Sequence, residues 1–393
     1  MIQTNETRAR EIWVDWMRVA ACFLVMLVHS TEPFYLGGDG SLILTRADAF
    51  WASFFDTFAR ACVPLFVVAS SYLQFPLHYS TGEFFRRRAV RILIPFIIWT
   101  VVYALVWGEP VQNFKDLLLN FNYAAGHLWF VYMLLGIYLL MPLLSPWAEK
   151  VGKKELGFYL IACILTTFIP FIRERAIGSN AVCISGPGGI PMQAPYPLWG
   201  EASWNEFGVF YYLSGFIGYM LLGLYMRKFA GDWSKGKSLA IAIPCWLGGF
   251  AICFFGFIRR VLASCGGTFP ASGKVAMAVG WETPWFNNTI GVFLMTVGWI
   301  LLFMRIKSSG WFYSKVVLPV SKASYGMYLC HMLVLAQFAN LFRSTFGIGA
   351  EGSLGIFTTP VQILLTAVCS YICVAIFAVL AQRIPKAGKW LIG

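Results

Sequence analysis

The stretch that decides the fold is residues 13–29, which read WVDWMRVAACFLVMLVH. Apolar side chains dominate it, yet it carries a guanidinium at Arg18 and an imidazole at His29. In an α-helix this spacing puts both side chains on one face to within roughly 20°, about 16 Å apart along the axis. A charged group at membrane depth costs about 2.5–3.5 kcal/mol or more, and such residues usually face the interior of a helix bundle. We therefore expect this helix to form one wall of a polar site.

The composition places the whole chain in the membrane class. Of its 393 residues, 59% are hydrophobic and only 12% are charged, whereas soluble domains average about 25% charged residues. We predict an all-α, polytopic integral membrane protein with a single transmembrane domain over residues 1–393. The first apolar segment lacks a small-residue cleavage site, so it does not read as a secretion signal. The ten predicted spans cover residues 12–36, 49–75, 86–107, 128–148, 156–172, 206–229, 238–262, 287–306, 318–342 and 355–382.

The net charge of +12 would suggest nucleic-acid binding in a soluble protein, but here its distribution indicates topology. Most of the 30 basic residues lie in the N-terminus, the even-numbered loops and the tail. By the positive-inside rule, both termini are predicted to be cytoplasmic. The extracytoplasmic loops near 173–205 and 263–286 are long and rich in Gly, Pro and aromatic residues. Tryptophans such as Trp281 and Trp285 would suit stacking against a sugar.

Two spans carry residues suited to catalysis or ligand binding. His29 is a general-base candidate, because a neutral imidazole can accept a hydroxyl proton near pH 7; the alternative is a buried histidine that satisfies one hydrogen bond. Arg18 could contact a phosphate or another polar part of a long ligand, or it could pair with Asp15 at i−3. Arg60, in the second span, has the same two interpretations, with Asp56 at i−4 as its partner.

A basic run opens the third span, where residues 85–95 read FRRRAVRILIP. Forked guanidinium donors at a helix N-terminus bind phosphates well, because free backbone N–H groups face the same way. Arg87, Arg88 and Arg91 are therefore candidates for binding a polyanion. Such clusters also act as topology determinants or contact anionic lipids, and the spacing alone does not separate these roles.

Two further histidines border or enter spans. His127 begins the segment GHLWF at the outer end of the fourth span, and His331 ends SYGMYLCH in the middle of the ninth. For both we favour a structural role over a catalytic one. The chain has no CxxC, HExxH, GxSxG or glycine-rich nucleotide motif, so we expect no metal, and ATP-driven transport and zinc hydrolysis lack support.

Two of the ten cysteines lie in predicted external loops, Cys183 and Cys265. A disulfide between them is a hypothesis, because both loops would face an oxidising compartment and the bond would tie them together. Two unpaired thiols are the alternative. Peptide mapping under non-reducing conditions tests it, and free alkylation of both cysteines would contradict it.

In combination, these motifs resemble the acyltransferase-3 family of bacterial membrane-bound O-acyltransferases. Asp15-x-x-Arg18 followed by His29 is similar to the family's first-helix Arg-x10-His signature. Residues 60–73, RACVPLFVVASSYL, are similar to its second helix, although Ser71 stands where the family commonly has glycine.

The resemblance extends along the chain. The pattern Arg87-Arg88-x-x-Arg91-x-x-x-Pro95 resembles the basic start of the family's third helix, and the segments around His127 and His331 also fit. Each pattern alone is weak, but their order over residues 13–331 makes the match specific.

The resemblance implies acyl-CoA as donor, with acetyl-CoA as the expected form, and usually a sugar hydroxyl of a surface glycan or glycolipid as acceptor. It implies His29 as catalytic base, Arg18 as its essential partner, and Arg87, Arg88 and Arg91 as donor-binding residues. It further implies a multi-pass protein of the bacterial cytoplasmic membrane. Because the chain ends soon after its last predicted span, we expect the stand-alone form without a fused esterase-like domain.

A transporter is the alternative class. Ten spans with intramembrane Arg and His would suit a proton-coupled carrier or a flippase of an amphiphilic substrate. Such carriers often show paired half-repeats with broken helices at matching positions. The sequence shows no such pairing, which favours the enzyme.

Overall fold

The computed structural model describes residues 10–35, 42–43, 45–107, 109–111, 123–177, 215–268, 275–276, 279–347, 356–385 and 387–393. Over these residues the chain is an all-α, polytopic membrane protein, as the composition predicted. Its helices are α1 (Ile12–Thr31), α2 (Arg46–Ala59), α3 (Cys62–Gln74), α4 (Thr81–Arg88), α5 (Ile94–Val106), α6 (Trp129–Lys150), α7 (Lys153–Thr166), α8 (Ile169–Ile177), α9 (Phe216–Tyr225), α10 (Lys235–Ser264), α11 (Ile290–Phe303), α12 (Leu318–Phe346), α13 (Thr359–Gln382) and α14 (Gly388–Leu391).

Shorter segments connect or extend these helices. Three π-helical segments adjoin them: Ala89–Leu93, Met226–Ala230 and Tyr313–Val317. Three 3₁₀ segments cover Glu32–Phe34, Tyr123–Leu128 and Val279–Trp285. Residues Leu42–Ile43 also pair antiparallel with Val275–Ala276.

Nine stretches of the described residues are long and apolar enough to cross a membrane. They correspond to nine of the ten predicted spans. The sixth predicted span, 206–229, is described only from residue 215, as α9 and the π-helical segment that follows it. Cys183 also lies outside the described residues, so its pairing with Cys265 stays a prediction.

The second predicted span is two helices rather than one. The α2 helix ends at Ala59 and α3 begins at Cys62. Pro64 explains the break, because a proline has no amide hydrogen to donate to the carbonyl four residues earlier, here that of Arg60. The break places Arg60 at the junction of the two helices, where its side chain can contact a neighbouring segment.

The first helix packs centrally, as the sequence suggested for a wall of a site. Most of α1 is buried, and it contacts α2, α3, α12 and α13. Its partner α12 runs in the same direction. The Cys22 thiol lies 3.6 Å from the carbonyl oxygen of Ser324, and about two turns further along both helices the ring of His29 lies beside that of His331.

Candidate active site

His29 stands in the last turn of α1, and its nearest polar partner is Glu32. The distance from His29 Nδ1 to Glu32 Oε1 is 2.7 Å. Glu32 begins the 3₁₀ turn that follows α1, with Pro33 as the next residue. Both side chains are partly open, 20% exposed for His29 and 29% for Glu32. A ligand could therefore approach this pair from the end of the helix.

The Glu32 contact determines which nitrogen of His29 is available. A carboxylate only accepts hydrogen bonds, so Nδ1 of His29 must carry the hydrogen. The neutral ring then has its lone pair on Nε2, the nitrogen that can accept a proton from a ligand hydroxyl. Sequence reasoning missed Glu32, although an acidic residue at i+3 from a histidine in a helix is a readable signal.

Three histidines from separate parts of the chain meet beside this pair. The ring centroid of His331 lies 5.2 Å from that of His29 and 5.1 Å from that of His127. We call His29, His331 and His127 the imidazole row. His331 is fully buried and His127 is 9% exposed. The sequence nominated all three residues separately, and the structure brings them together.

The Nε2 nitrogens of the two buried histidines, His331 and His127, are themselves buried. Neither His331 Nε2 nor His127 Nε2 has a hydrogen-bond partner among the described residues. His331 Nδ1 lies 2.6 Å from the carbonyl oxygen of Tyr328, and the Tyr328 hydroxyl donates to the His127 carbonyl. An unsatisfied buried polar atom costs roughly 1–3 kcal/mol. Two such atoms beside an open histidine therefore point to a functional role.

Arg60 belongs to a polar network that reaches the end of α1. Its guanidinium pairs with Asp56, which is one of the two interpretations that the sequence offered. It also lies 3.2 Å from the Tyr35 hydroxyl and 3.5 Å from Glu282 Oε1. The Thr31 hydroxyl donates to Asp56 at 2.8 Å, which ties the network to the end of α1. The pair of Asp56 and Arg60 interacts electrostatically with His29.

The expectation that Trp281 and Trp285 would stack on a sugar is wrong. Both side chains are buried, at 0% and 1% exposure. Trp285 stacks on Phe257 with ring centroids 3.9 Å apart, and its indole N–H donates to Thr57 at 2.9 Å. The tryptophans between residues 173 and 205 lie outside the described residues. The segment Val279–Trp285 therefore contributes Glu282 to the site, while its tryptophans anchor it against α10 and α2.

Asp15 does not pair with Arg18, which corrects one interpretation of the motif. Its carboxylate accepts from the Arg10 guanidinium at 2.6 and 2.7 Å. It also accepts from the hydroxyls of Tyr313 at 2.7 Å and Ser321 at 2.6 Å. Asp15 therefore fastens the start of α1 to the start of α12.

Arg18 has a side-chain nitrogen that is available to a ligand. Its Nε is buried and has no hydrogen-bond partner among the described residues. One of its electrostatic neighbours is Tyr138 of α6. Because a buried guanidinium nitrogen without a partner is costly, Arg18 is suited to bind an anionic or carbonyl oxygen of a ligand.

The arginines of the third span divide into two groups. Arg86 and Arg87 bond to Glu83 on the surface of α4, at 2.9 and 2.6 Å. Arg91 is exposed, in the π-helical segment that follows. Arg88 instead points inward, with its guanidinium carbon 5.2 Å from the ring centroid of Tyr138.

Arg88 and Arg18 both interact with Tyr138, and each has a buried nitrogen without a described partner. The Tyr138 ring lies beside Arg88 and interacts electrostatically with Arg18, and the buried nitrogen is Nε in both arginines. The two guanidinium groups come from different helices, α4 and α1. A ligand with negative charge would satisfy both.

The order of these features along the chain agrees with one known family. A family model described as an acyltransferase domain matches residues 11–380, nearly the whole chain. This chain belongs to the acyltransferase-3 family. No curated protein and no solved structure gives a match. The resemblance inferred from the motifs is confirmed, and the protein is a multi-pass membrane acyltransferase.

The candidate groups of this acyltransferase lie at two levels of α1. The imidazole row and Glu32 lie at the C-terminal end of the helix, and Arg18 lies near its start. Among the described residues, no group of three or more His, Cys, Asp or Glu side chains is arranged to hold a metal ion.

Proposed function

We propose that this acyltransferase moves an acyl group, an acetyl group in its expected form, from acyl-CoA to a hydroxyl of a sugar in a surface glycan or glycolipid. The observation that carries the proposal is the Glu32–His29 pair, whose 2.7 Å contact leaves His29 Nε2 as a free base. Family membership supports acyl transfer in general. The donor and acceptor classes come from the family resemblance.

His29 is the catalytic base in this proposal. The acceptor hydroxyl oxygen attacks the acyl carbon while its proton moves to His29 Nε2. A C–O bond forms, the C–S bond breaks, and the proton finally resides on the CoA sulfur. Glu32 holds the ring orientation and stabilises the imidazolium, as a carboxylate does in other histidine-based active sites.

Arg18 and Arg88 bind the donor in this proposal. Both have a buried Nε without a described partner, and both interact with Tyr138. Phosphate oxygens are strong acceptors for guanidinium groups and often take two parallel hydrogen bonds from one of them. Arg87 and Arg91 lie nearer the surface and would attract the nucleotide before it binds. The arm of CoA then follows the face of α1 from Arg18 toward His29.

A proton-coupled carrier remains the alternative class from the sequence, and family membership favours the enzyme. Radiolabelled acetyl-CoA mixed with purified protein and membrane glycolipids tests the two classes directly. Label that appears as an ester in the glycolipid, and disappears with His29→Asn, supports the enzyme. Label that accumulates only as unchanged donor contradicts it.

We expect donor and acceptor to enter from opposite faces of the membrane. His29 lies about 26 Å along α1 from Ile12 at 1.5 Å per residue, past the middle of a hydrocarbon core of about 30 Å. The arginines of α4 lie at the opposite level, which the charge distribution makes cytoplasmic. We propose the bacterial cytoplasmic membrane as the location, with modification on its outer side.

Sealed proteoliposomes of known orientation test this sidedness. Acetyl-CoA should be used only when it is supplied on the side of the α4 arginines, and a membrane-impermeant acceptor should be acylated only from the other side. Liposomes permeabilised with detergent serve as the control, because both substrates then reach every molecule. Acylation of the impermeant acceptor from the arginine side would make the reaction wholly cytoplasmic.

A further inference from the structure

The imidazole row contains more basic nitrogens than one general base requires. His331 comes from α12, and His127 comes from the 3₁₀ segment before α6. The His331 ring lies next to that of His29, and the His127 ring lies next to that of His331. Buried polar atoms are normally satisfied, yet the Nε2 atoms of both inner histidines are buried without a described partner.

The tautomer of His331 follows from its one hydrogen bond. The Tyr328 carbonyl only accepts, so His331 Nδ1, at 2.6 Å from it, carries the hydrogen. Nε2 of the neutral ring therefore has a free lone pair. His331 is thus arranged like His29, with a backbone carbonyl in place of the Glu32 carboxylate.

The spacing of the rings fits proton exchange between them. Two ring radii and one N–H···N hydrogen bond of roughly 2.9 Å add up to a centroid separation of about 5 Å. The observed separations are 5.2 Å and 5.1 Å. The rings are therefore close enough for an N–H···N bond to form between them when their orientation changes.

We propose that His331 and His127 extend His29 into a three-residue chain that takes up the acceptor proton and returns it to the departing thiolate. This proposal rests on the proposed function. As the hydroxyl oxygen bonds to the acyl carbon, its proton passes to His29 Nε2. From there it is shared with Nε2 of His331, because Nδ1 of that ring already carries a hydrogen. The same Nε2–H can then turn and be shared with Nε2 of His127. When the C–S bond breaks, the same proton moves to the CoA sulfur, so none is gained or lost.

The groups that face the row determine how it titrates. His29 faces Glu32 on its own segment, and Asp56 and Arg60 of α2. His331 faces the other two histidines. The aromatic neighbours of the row are Tyr328 and Tyr103, the latter with its ring centroid 4.7 Å from that of His127. The row is therefore a coupled set, and its protonation steps belong to the three rings together.

The experiment uses the small number of histidines in the chain. There are four in all, and the fourth, His78, is exposed and outside the row. Nitrogen NMR of ¹⁵N-histidine-labelled protein in nanodiscs reads the protonation of each ring nitrogen without any substrate. His331→Asn is the key variant, because its amide can keep the bond to Tyr328 while Nε2 is lost. His331→Gln instead places a polar atom near the position of Nε2. His78→Asn is the matched control.

In the unmodified protein we expect Nδ1 of His331 to be protonated and Nε2 to be bare at neutral pH. His331→Asn should shift the pH at which His29 gains its second proton, and should lower acyl transfer by about 10²-fold, the lower end for lost acid–base catalysis. His331→Gln should lower it similarly, because an amide cannot relay protons. His78→Asn should change neither measurement.

Two results would overturn the proposed proton-sharing chain of histidines. One is a His29 titration that is identical in the unmodified protein and in His331→Asn. The other is unimpaired transfer by folded His331→Asn or His331→Gln. If the titrations of the three histidines are coupled but the protein transfers no acyl group, the imidazole row still shares protons and the proposed function is refuted. The failure of the proton-sharing proposal and the failure of the proposed function are therefore distinguishable.

Discussion

Replacement of His29 by asparagine is expected to lower acyl transfer by about 10³-fold, within the usual range for loss of a general base. The asparagine amide can still donate to Glu32, so the end of α1 should keep its conformation while the basic Nε2 is lost. Binding of acyl-CoA should be unchanged, because the proposed donor contacts lie at Arg18 and Arg88. Turnover and donor affinity, measured separately on the purified protein, check both parts.

Glu32→Gln provides the complementary test of the same pair. A glutamine can donate to Nδ1 and so favour the opposite tautomer, which would place a hydrogen on Nε2 and block its use as a base. We expect a loss of about 10²-fold or more, as when the orienting carboxylate of a catalytic triad is neutralised. His78→Asn should retain full activity. Near-normal turnover by His29→Asn would assign the base to His127 or His331.

Much of the fold was readable from the sequence because the membrane constrains it strongly. Backbone polar groups must be satisfied within each span, so long apolar stretches become helices. The common face of Arg18 and His29 followed from helical periodicity alone. The break at Arg60 was missed, since the apolar run continues through it, although Pro64 was visible as its cause.

For the candidate site, one contact could be predicted from the sequence and another could not. Glu32 could have been found, because it is three residues from His29. The contact between His331 and His127 could not, because it depends on how α12 packs against the segment before α6, and no local spacing encodes that. The opposite holds for Trp281 and Trp285, whose place in a predicted external loop suggested exposure although both rings are packed against α10.

The arginine run illustrates a further limit. The sequence treats Arg87, Arg88 and Arg91 as one cluster, but Glu83 lies four residues before Arg87 and engages it on the helix surface. Arg88 is one position later and faces inward, where its guanidinium meets the rings of Phe84 and Tyr138. Neighbouring residues on a helix point about 100° apart, so members of a run need not share a role.

Arg88→Gln is therefore expected to weaken acyl-CoA binding far more than Arg87→Gln. Each charge-assisted contact to a phosphate contributes about 1.5–3 kcal/mol, which corresponds to roughly 10- to 150-fold in affinity. Arg18→Gln should have an effect of similar size. Arg87→Gln should change affinity by no more than about twofold, because the Arg87 side chain is 44% exposed and already bonded to Glu83. Isothermal titration with CoA measures all three.

Dephospho-CoA shows which phosphate Arg88 binds. If Arg88 contacts the 3′-phosphate, the unmodified protein prefers CoA to dephospho-CoA and Arg88→Gln loses that preference. If it contacts the diphosphate, both ligands weaken equally in the variant. The double variant of Arg18 and Arg88 completes a thermodynamic cycle, and losses that do not add would show that the two guanidinium groups bind one group together. Unchanged CoA affinity in Arg88→Gln would reduce the arginine cluster to a determinant of membrane topology, and the donor would then have to bind through residues elsewhere.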